Sequence, residues 1–265
     1  MNNVIYTAVD RNYENYARAC FNSLKKNYPD HPMVLVYTTD YDNLSDEFIK
    51  YINTSHNFYL KKCRQPLEIN NLGPVNNDIV YLKYMLWNSQ EFADYDTVLH
   101  LDCDTLVLAP LDDIFTDEFL IFDNDERSKD FSMFNVEHMN FDFNNTTVFG
   151  NAGVFSVPKK YRTPIHFDSL NELTRDYEDA LLYADQSAIN LWCIENRITV
   201  SKDVRYNFQP QFFSYSDCEY LLDDVKILHF AARKPDTIEF LLWWRVKNGL
   251  APLLHTLYKE YLNQQ

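Results

Sequence analysis

The 265-residue sequence predicts an α/β fold with a mostly parallel central sheet flanked by helices. Two observations lead to this prediction. Strand-like and helix-like segments alternate through the first half, and the strand-like segments are almost continuously apolar, which is typical of strands covered on both faces. No internal repeat or low-complexity linker interrupts the pattern. We therefore expect a single domain over residues 1–265.

The elements of the first half follow from apolar spacing and from residues that cap helices. Asn15–Asn27 carries apolar residues three and four positions apart, which indicates a helix, whereas Met33–Tyr37 is an unbroken apolar run typical of a buried strand. The predicted order is strand Val4–Ala8, helix Asn15–Asn27, strand Met33–Tyr37, helix Leu44–Ile52 capped by Asn43, strand Phe58–Lys61, helix Asp78–Ser89 and strand Thr97–Leu101.

The second half begins with a change in composition and periodicity. Residues 123–149 are rich in Asp, Asn and Phe and show little periodicity, so we interpret them as an inserted loop with at most one short helix. Regular segments then return. They predict a strand at Gly150–Val157, helices at Pro164–Tyr177 and Asp185–Ile194, a strand at Lys226–His229 and C-terminal helices over residues 236–265.

Composition excludes several classes of function. A formal net charge of −15 and the lack of a basic stripe argue against nucleic-acid binding. The four glycines cannot form a G-x-G-x-x-G or G-x-x-x-x-G-K loop. The five cysteines are widely spaced, which predicts buried, reduced thiols. No signal peptide or transmembrane segment is apparent, so we expect a cytoplasmic protein.

The clearest chemical motif is the pair Asp102 and Asp104, which follows the apolar strand Thr97–Leu101. Ligands of open α/β sheets bind at the carboxyl ends of the strands, and paired carboxylates suit Mg²⁺ or Mn²⁺. The same residues also spell D-x-D-x-T, which resembles the nucleophile loop of haloacid dehalogenase-type phosphatases. In that alternative Asp102 is the nucleophile, and Asp223–Asp224 is a weak candidate for the second acidic motif.

Six short sequence patches occur in the same order along the chain as matching patches of a known family. They are Thr7–Tyr13, Lys83, Asp102–Asp104, Asn151–Phe155, Ala184–Gln186 and His229–Pro235. Together they resemble the retaining glycosyltransferases of family 8, which include glycogenin and the bacterial lipopolysaccharide α-galactosyltransferases. The resemblance implies a GT-A fold that binds a nucleotide sugar. It assigns residues 1–122 to a nucleotide-binding half and residues 150–235 to a donor and acceptor half.

The resemblance also implies a set of site residues. Asp102, Asp104 and His229 would ligate the metal, and the histidine nitrogen favours Mn²⁺ over Mg²⁺. Lys83, Asp185 and Gln186 would lie at the reacting centre. The expected donor-binding residues are Ala8, Asp10, Asn12, Tyr13, Lys83, Asp102, Cys103, Asp104, Asn151, Ala152, Asp185, Gln186, His229, Ala232 and Lys234, with Arg205–Phe208 lining the same pocket.

Each patch alone also has a purely structural interpretation. Lys83 could be a solvated helix lysine, Asp185 a helix N-cap, and Gly153 the mark of a bulge at the start of a strand. As a set, the patches imply transfer of glucose or galactose from a UDP-sugar, with retention of configuration. The acceptor would be a glycan, a lipid-linked sugar or a protein, and a homodimer is possible. The alternatives are the phosphatase and a non-catalytic scaffold that docks a partner through the C-terminal helix containing Trp243, Trp244 and Arg245.

Overall fold

The computed structural model describes residues 2–39, 44–64, 78–88, 90–123, 133–143, 148–210, 223–231, 234–237 and 251–264. These residues fall into two compact units. The first, which we call the sheet unit, comprises Met1–Asp10, Pro32–Leu101 and Asp113–Lys202. The second, the hairpin unit, comprises Arg11–His31, Asp102–Asp112 and Asp203–Gln265.

The regular elements of the described residues are as follows. The strands are β1 (Asn3–Ala8), β2 (Met33–Thr38), β3 (Phe58–Lys62), β4 (Thr97–Leu101), β5 (Thr105–Val107), β6 (Leu120–Asp123), β7 (Gly150–Pro158) and β8 (Ile227–His229). The α-helices are α1 (Glu14–Asn27), α2 (Asp46–Thr54), α3 (Pro164–Asp176), α4 (Ala184–Glu195) and α5 (Ala251–Leu262). The 3₁₀ helices are Arg11–Tyr13, Asp78–Trp87, Asp112–Ile114, Val136–His138, Lys159–Tyr161, Glu178–Ala180 and Val204–Tyr206.

The sheet unit is built on six strands in the order β3-β2-β1-β4-β7-β6. β1 pairs in parallel with β2 and β4, and β2 pairs in parallel with β3. β7 is antiparallel to both of its neighbours, β4 and β6. The prediction of a mostly parallel sheet flanked by helices is therefore confirmed, and β7 is the strand that reverses direction.

The core of the sheet unit is strongly aromatic. Trp87, Phe119 and Trp192 meet with ring centroids 5.1 to 5.8 Å apart, and Phe155 of β7 packs against the first two. Tilted and edge-on contacts at these distances are favourable beyond the area they bury. These contacts pack Trp87 of the 3₁₀ helix against Phe155 of β7 and against Trp192 of α4.

The hairpin unit has a smaller core of its own. β5 and β8 form a two-stranded antiparallel sheet, and Leu106 and Leu228 pair across it. Helices α1 and α5 pack beside each other, where the side-chain amide of Asn22 donates to the carbonyl oxygen of Tyr261 at 2.8 Å. Leu106, Leu228 and Tyr258 are buried in one cluster.

Most predicted elements are confirmed, whereas β5 and β6 were not predicted. The helix predicted at Leu44 begins at Asp46 instead, because the Ser45 hydroxyl caps it by accepting the backbone N–H of Phe48; Asn43 lies outside the described residues. The helix predicted at Asp78–Ser89 is a 3₁₀ helix over Asp78–Trp87. Within the predicted inserted loop, residues 133–143 contain the expected short helix, Val136–His138.

Several sequence expectations concern cysteines, the C-terminus and membranes. Cys20, Cys103 and Cys193 are free and buried as expected, whereas Cys63 is free but only partly buried, so that part of the prediction is wrong. Trp243, Trp244, Arg245 and Cys218 lie outside the described residues. Among the residues that the structure describes, no helix combines the length and the apolar composition needed to cross a bilayer.

Candidate functional site

Two local features bring the predicted metal ligands together in the hairpin unit. A tight turn follows β4, in which the backbone N–H and the hydroxyl of Thr105 both donate to the carbonyl oxygen of Asp102, at 3.2 and 2.8 Å. The chain then enters β5, where Thr105 pairs with His229 of β8. Asp104 is therefore delivered next to the end of β8, and its carbonyl oxygen accepts the N–H of Phe230 at 3.0 Å.

We call Asp102, Asp104 and His229 the cation cluster. One potential ligand atom from each side chain lies within 4.8 Å of the others. The Nε2 atom of His229 is 3.4 Å from Oδ1 of Asp104 and 3.9 Å from Oδ2 of Asp102. Asp104 and His229 are buried, while the Asp102 side chain is 30% exposed. The sequence-predicted ligand set is thus assembled at one point, with an opening at Asp102.

The hydrogen bonding of His229 fits a metal ligand. Its Nδ1 atom lies 2.7 Å from the side-chain oxygen of Asn207, an atom that only accepts hydrogen bonds. With the amide in this orientation Nδ1 is the donor of the bond, and Nε2 is the ring nitrogen that faces the two carboxylates. A divalent cation would suit all three groups, and a hydrogen bond from the other ring nitrogen is usual for a histidine that ligates a metal.

Lys234 adds a positive charge to the cation cluster. Its ammonium group donates to the Asp104 carboxylate and to the carbonyl oxygen of Phe230, the latter at 3.4 Å. Burial alone would raise the pKa of Asp104, but the charges of Lys234 and His229 lower it to about 2. The ring of Tyr13 lies on the same lysine, with its centroid 5.2 Å from Nζ. Three separate predicted patches therefore meet here.

A second group of predicted residues meets in the sheet unit. Lys83 and Asp185 form an ion pair at 2.9 Å, and their side chains are only 8% and 9% exposed. Lys83 also donates to the carbonyl oxygen of Ala152 at 3.1 Å. Both purely structural interpretations are therefore wrong: Lys83 is not a solvated lysine, and Asp185 is not the N-cap of α4, which is Tyr183.

A bulge in β7 places the Asn151 patch against α4. Along β6, Ile121 pairs with Phe155 while its neighbour Phe122 pairs with Asn151, so three residues of β7 lie between the two pairings. The side-chain oxygen of Gln186 accepts hydrogen bonds from the amide of Asn151 at 2.9 Å and from the N–H of Ala152 at 3.2 Å. The register shift agrees with the purely structural interpretation of Gly153 as the mark of a bulge.

Sequence reasoning missed Asn190, which joins the same two elements. Its buried amide accepts the N–H of Gly150 at 2.7 Å and donates to the carbonyl oxygens of Gly150 and Gln186, at 2.8 and 2.7 Å. The available signal was its position four residues after Gln186, in the stretch Ala188–Ile194, whose other residues are all apolar. At the start of that helix, Ala184 has a left-handed φ of 47°. Such a backbone is unfavourable for a residue with a Cβ, and it sets the direction in which α4 begins.

The remaining predicted residues are placed as follows. Ala8 is the last residue of β1 and Asp10 follows that strand, both in the sheet unit, whereas Asn12 belongs to the hairpin unit and is exposed. Cys103 is buried, and its burial raises the pKa of the thiol, with further contributions from Asp104 and Asp102. Ala232 lies outside the described residues.

The comparisons with known proteins identify the family of the chain. The family model of glycosyl transferase family 8 matches residues 4–235, and the chain belongs to that family. A curated relative, glycosyltransferase GlyA of Streptococcus pneumoniae serotype 4 strain TIGR4, is 25% identical over 248 residues. That match covers 86% of this chain, and the chain spans only about a third (33%) of the length of GlyA.

Solved structures identify the fold. The galactosyltransferase LgtC, crystallised with donor and acceptor sugar analogues, superposes with a TM-score of 0.72 at 19% identity, covering 97% of this chain and 95% of LgtC. The glycosyltransferase GlyE of S. pneumoniae TIGR4 gives a TM-score of 0.66 at 18% identity and covers 100% of this chain and 61% of GlyE. The fold is GT-A, as the resemblance implied.

Proposed function

We propose that this protein transfers a hexose, glucose or galactose, from a UDP-sugar to an acceptor hydroxyl, with the help of a divalent cation and with retention of configuration. The observation that carries the proposal is the cation cluster with Lys234 beside it. Two carboxylates, an imidazole and an ammonium group at one point form a binding set suited to a metal-bound diphosphate.

The leaving group poses the main electrostatic problem. As the bond to the sugar breaks, negative charge grows on the diphosphate, and the chain itself has a net charge of −15. A divalent cation held by Asp102, Asp104 and His229 would neutralise that charge as a Lewis acid. Lys234 would add a fixed point charge, since its ammonium is already held beside Asp104.

We assign the sugar itself to the residues around the Lys83–Asp185 pair. The carboxylate of Asp185 lies beside the buried ammonium of Lys83, and its oxygens are suited to accept hydrogen bonds from sugar hydroxyls. Asn151 is buried on the bulged strand β7, and its side-chain amide donates to Gln186, the residue that follows Asp185. These roles are carried over from the family resemblance and are supported by the burial and pairing of the side chains.

Retention of configuration without a covalent intermediate is the proposed stereochemical course. Gln186 is the residue that the resemblance puts nearest to the reacting carbon, and an amide oxygen is a poor nucleophile. In this chain that oxygen already accepts two hydrogen bonds, from Asn151 and Ala152. Both features favour attack by the acceptor on the same face from which the diphosphate leaves, through an oxocarbenium-like state.

The two alternatives have less support. For the phosphatase, family membership and fold both favour glycosyl transfer, and Asp223 and Asp224 are exposed on the surface of their unit. For the non-catalytic scaffold, the test is turnover. Donor hydrolysis in the absence of an acceptor would separate an enzyme from a scaffold.

A hydrolysis screen over a panel of UDP-sugars with Mn²⁺ tests the proposal and identifies the donor. We expect turnover of UDP-glucose or UDP-galactose, its loss in Asp104→Asn, and wild-type rates in the matched control Asp117→Asn, which changes an exposed aspartate. Full activity of Asp104→Asn would contradict the metal assignment. Intact-mass spectrometry after the same incubation detects transfer to the protein's own side chains and so tests a protein acceptor.

A further inference from the structure

The short segment that carries Lys234 is held by side chains from two helices. We call residues 234–237 the Lys234 segment. His255 of α5 donates its Nδ1–H to the carbonyl oxygen of Pro235 at 2.7 Å, and Tyr16 of α1 donates its hydroxyl to the Asp236 carboxylate at 2.6 Å. The segment is thus fixed at two consecutive residues immediately after the lysine.

The two helices that supply these side chains are themselves joined. The rings of Tyr16 and Tyr258 are in contact, with centroids 5.8 Å apart. The amides of Asn22 and Asn27 on α1 donate to the carbonyl oxygen and to the hydroxyl of Tyr261 on α5, at 2.8 and 2.6 Å. The Lys234 segment is therefore anchored to a packed helix pair rather than to a single mobile side chain.

The anchoring matters because the side chain of a lysine is flexible. Its four-carbon stem is flexible, so the place of its ammonium group depends on how firmly the backbone is fixed. We propose that Tyr16, Asp236 and His255 are positioning residues that hold Lys234 where it can contact the diphosphate of the donor. This inference rests on the proposed function and adds three residues to its diphosphate site.

Burial favours a positioning role over a purely stabilising one. Asp236 is exposed and His255 is only partly buried, and hydrogen bonds in such places add little to the free energy of unfolding. Pro235, whose carbonyl oxygen accepts the hydrogen bond of His255, is buried. Breaking either bond should therefore leave the fold intact and loosen the Lys234 segment.

The test is calorimetric binding of UDP in the presence of Mn²⁺. The variants are Tyr16→Phe, His255→Ala and His255→Asn, in which the amide can still donate to the Pro235 carbonyl. Each is also made in a Lys234→Met background. Tyr28→Phe is a matched control, because its hydroxyl donates to Asp112 at 2.7 Å and neither partner belongs to the Lys234 segment.

We expect Tyr16→Phe and His255→Ala to weaken UDP binding roughly three- to tenfold, the range for loss of one hydrogen bond. His255→Asn should restore most of the affinity, Tyr28→Phe should not change it, and neither loss should appear in the Lys234→Met background. If UDP affinity falls equally with Lys234 and with Met at that position, or does not fall in either case, the positioning role is wrong, while the proposed function stands. Failure of the wild-type protein to bind UDP with Mn²⁺ would instead overturn the proposed function, and the positioning role with it.

Discussion

Removing one partner of the Lys83–Asp185 pair should lower the free energy of unfolding much more than removing both partners. The two side chains are 2.9 Å apart and at least 91% buried by side-chain area, since their exposures are 8% and 9%. At an effective dielectric constant of about 20, charges at that distance attract by about 6 kcal/mol. Removal from water costs several kcal/mol for each ion, so the intact pair contributes little net free energy.

Lys83→Met leaves the carboxylate of Asp185 buried without its cation. We expect this variant to lose about 3–5 kcal/mol of unfolding free energy, the usual cost of breaking a buried pair from one side. The double variant Lys83→Met/Asp185→Leu removes both charges and should recover most of that loss. Its cycle with the two single variants gives the coupling energy between the two residues.

Urea unfolding followed by circular dichroism, at neutral pH and without nucleotide, measures these differences. The control is Glu118→Gln, which breaks the exposed Lys160–Glu118 pair at 2.8 Å and should leave the urea midpoint almost unchanged. A Lys83→Met midpoint equal to that of the control, or a double variant as unstable as the sum of its singles, would refute the reasoning.

Three further predictions concern the same elements. Gly150→Ala should destabilise the protein by about 1–3 kcal/mol, because the new Cβ would lie 2.4 Å from Cγ1 of Ile121; an unchanged urea midpoint would contradict this. Asn190→Ala leaves the buried N–H of Gly150 without its acceptor and should cost about 1–3 kcal/mol in the same assay, whereas a cost near zero would deny its joining role. The pKa of Asp104 is lowered to about 2, so its ionised carboxylate should stabilise chelator-treated protein relative to Asp104→Asn above about pH 4. This difference in unfolding free energy should shrink as the pH falls towards 2. A difference that does not change with pH would contradict the prediction.

Much of the fold could be predicted because its signals are local. Apolar runs marked six of the eight strands of the described residues, all but the short strands β5 and β6, and the i, i+3, i+4 spacing marked α1. The direction of β7 could not be predicted, since an apolar run looks the same in a parallel and in an antiparallel strand. The start of α2 was also ambiguous, because Asn43 and Ser45 are both good capping residues and only the backbone decides between them.

The candidate site was predictable to a similar degree. Asp102 and Asp104 were predicted from their place after an apolar strand, and the family resemblance added His229. The pairing of β5 with β8 brings Thr105 opposite His229. The ion pair of Lys83 with Asp185 joins residues far apart in the chain, and no local pattern shows that a lysine in an apolar helix faces inward. Asn190 was missed for the same reason: its partners are backbone groups of another element.

The most direct test of the account is calorimetric titration of UDP into the wild-type protein with and without Mn²⁺. We predict clear binding with the metal, little binding after chelation, and no metal-dependent binding in His229→Ala, which removes the imidazole from the cation cluster. Equal, weak binding under all three conditions would contradict the claim that Asp102, Asp104 and His229 hold the cation on which the diphosphate depends.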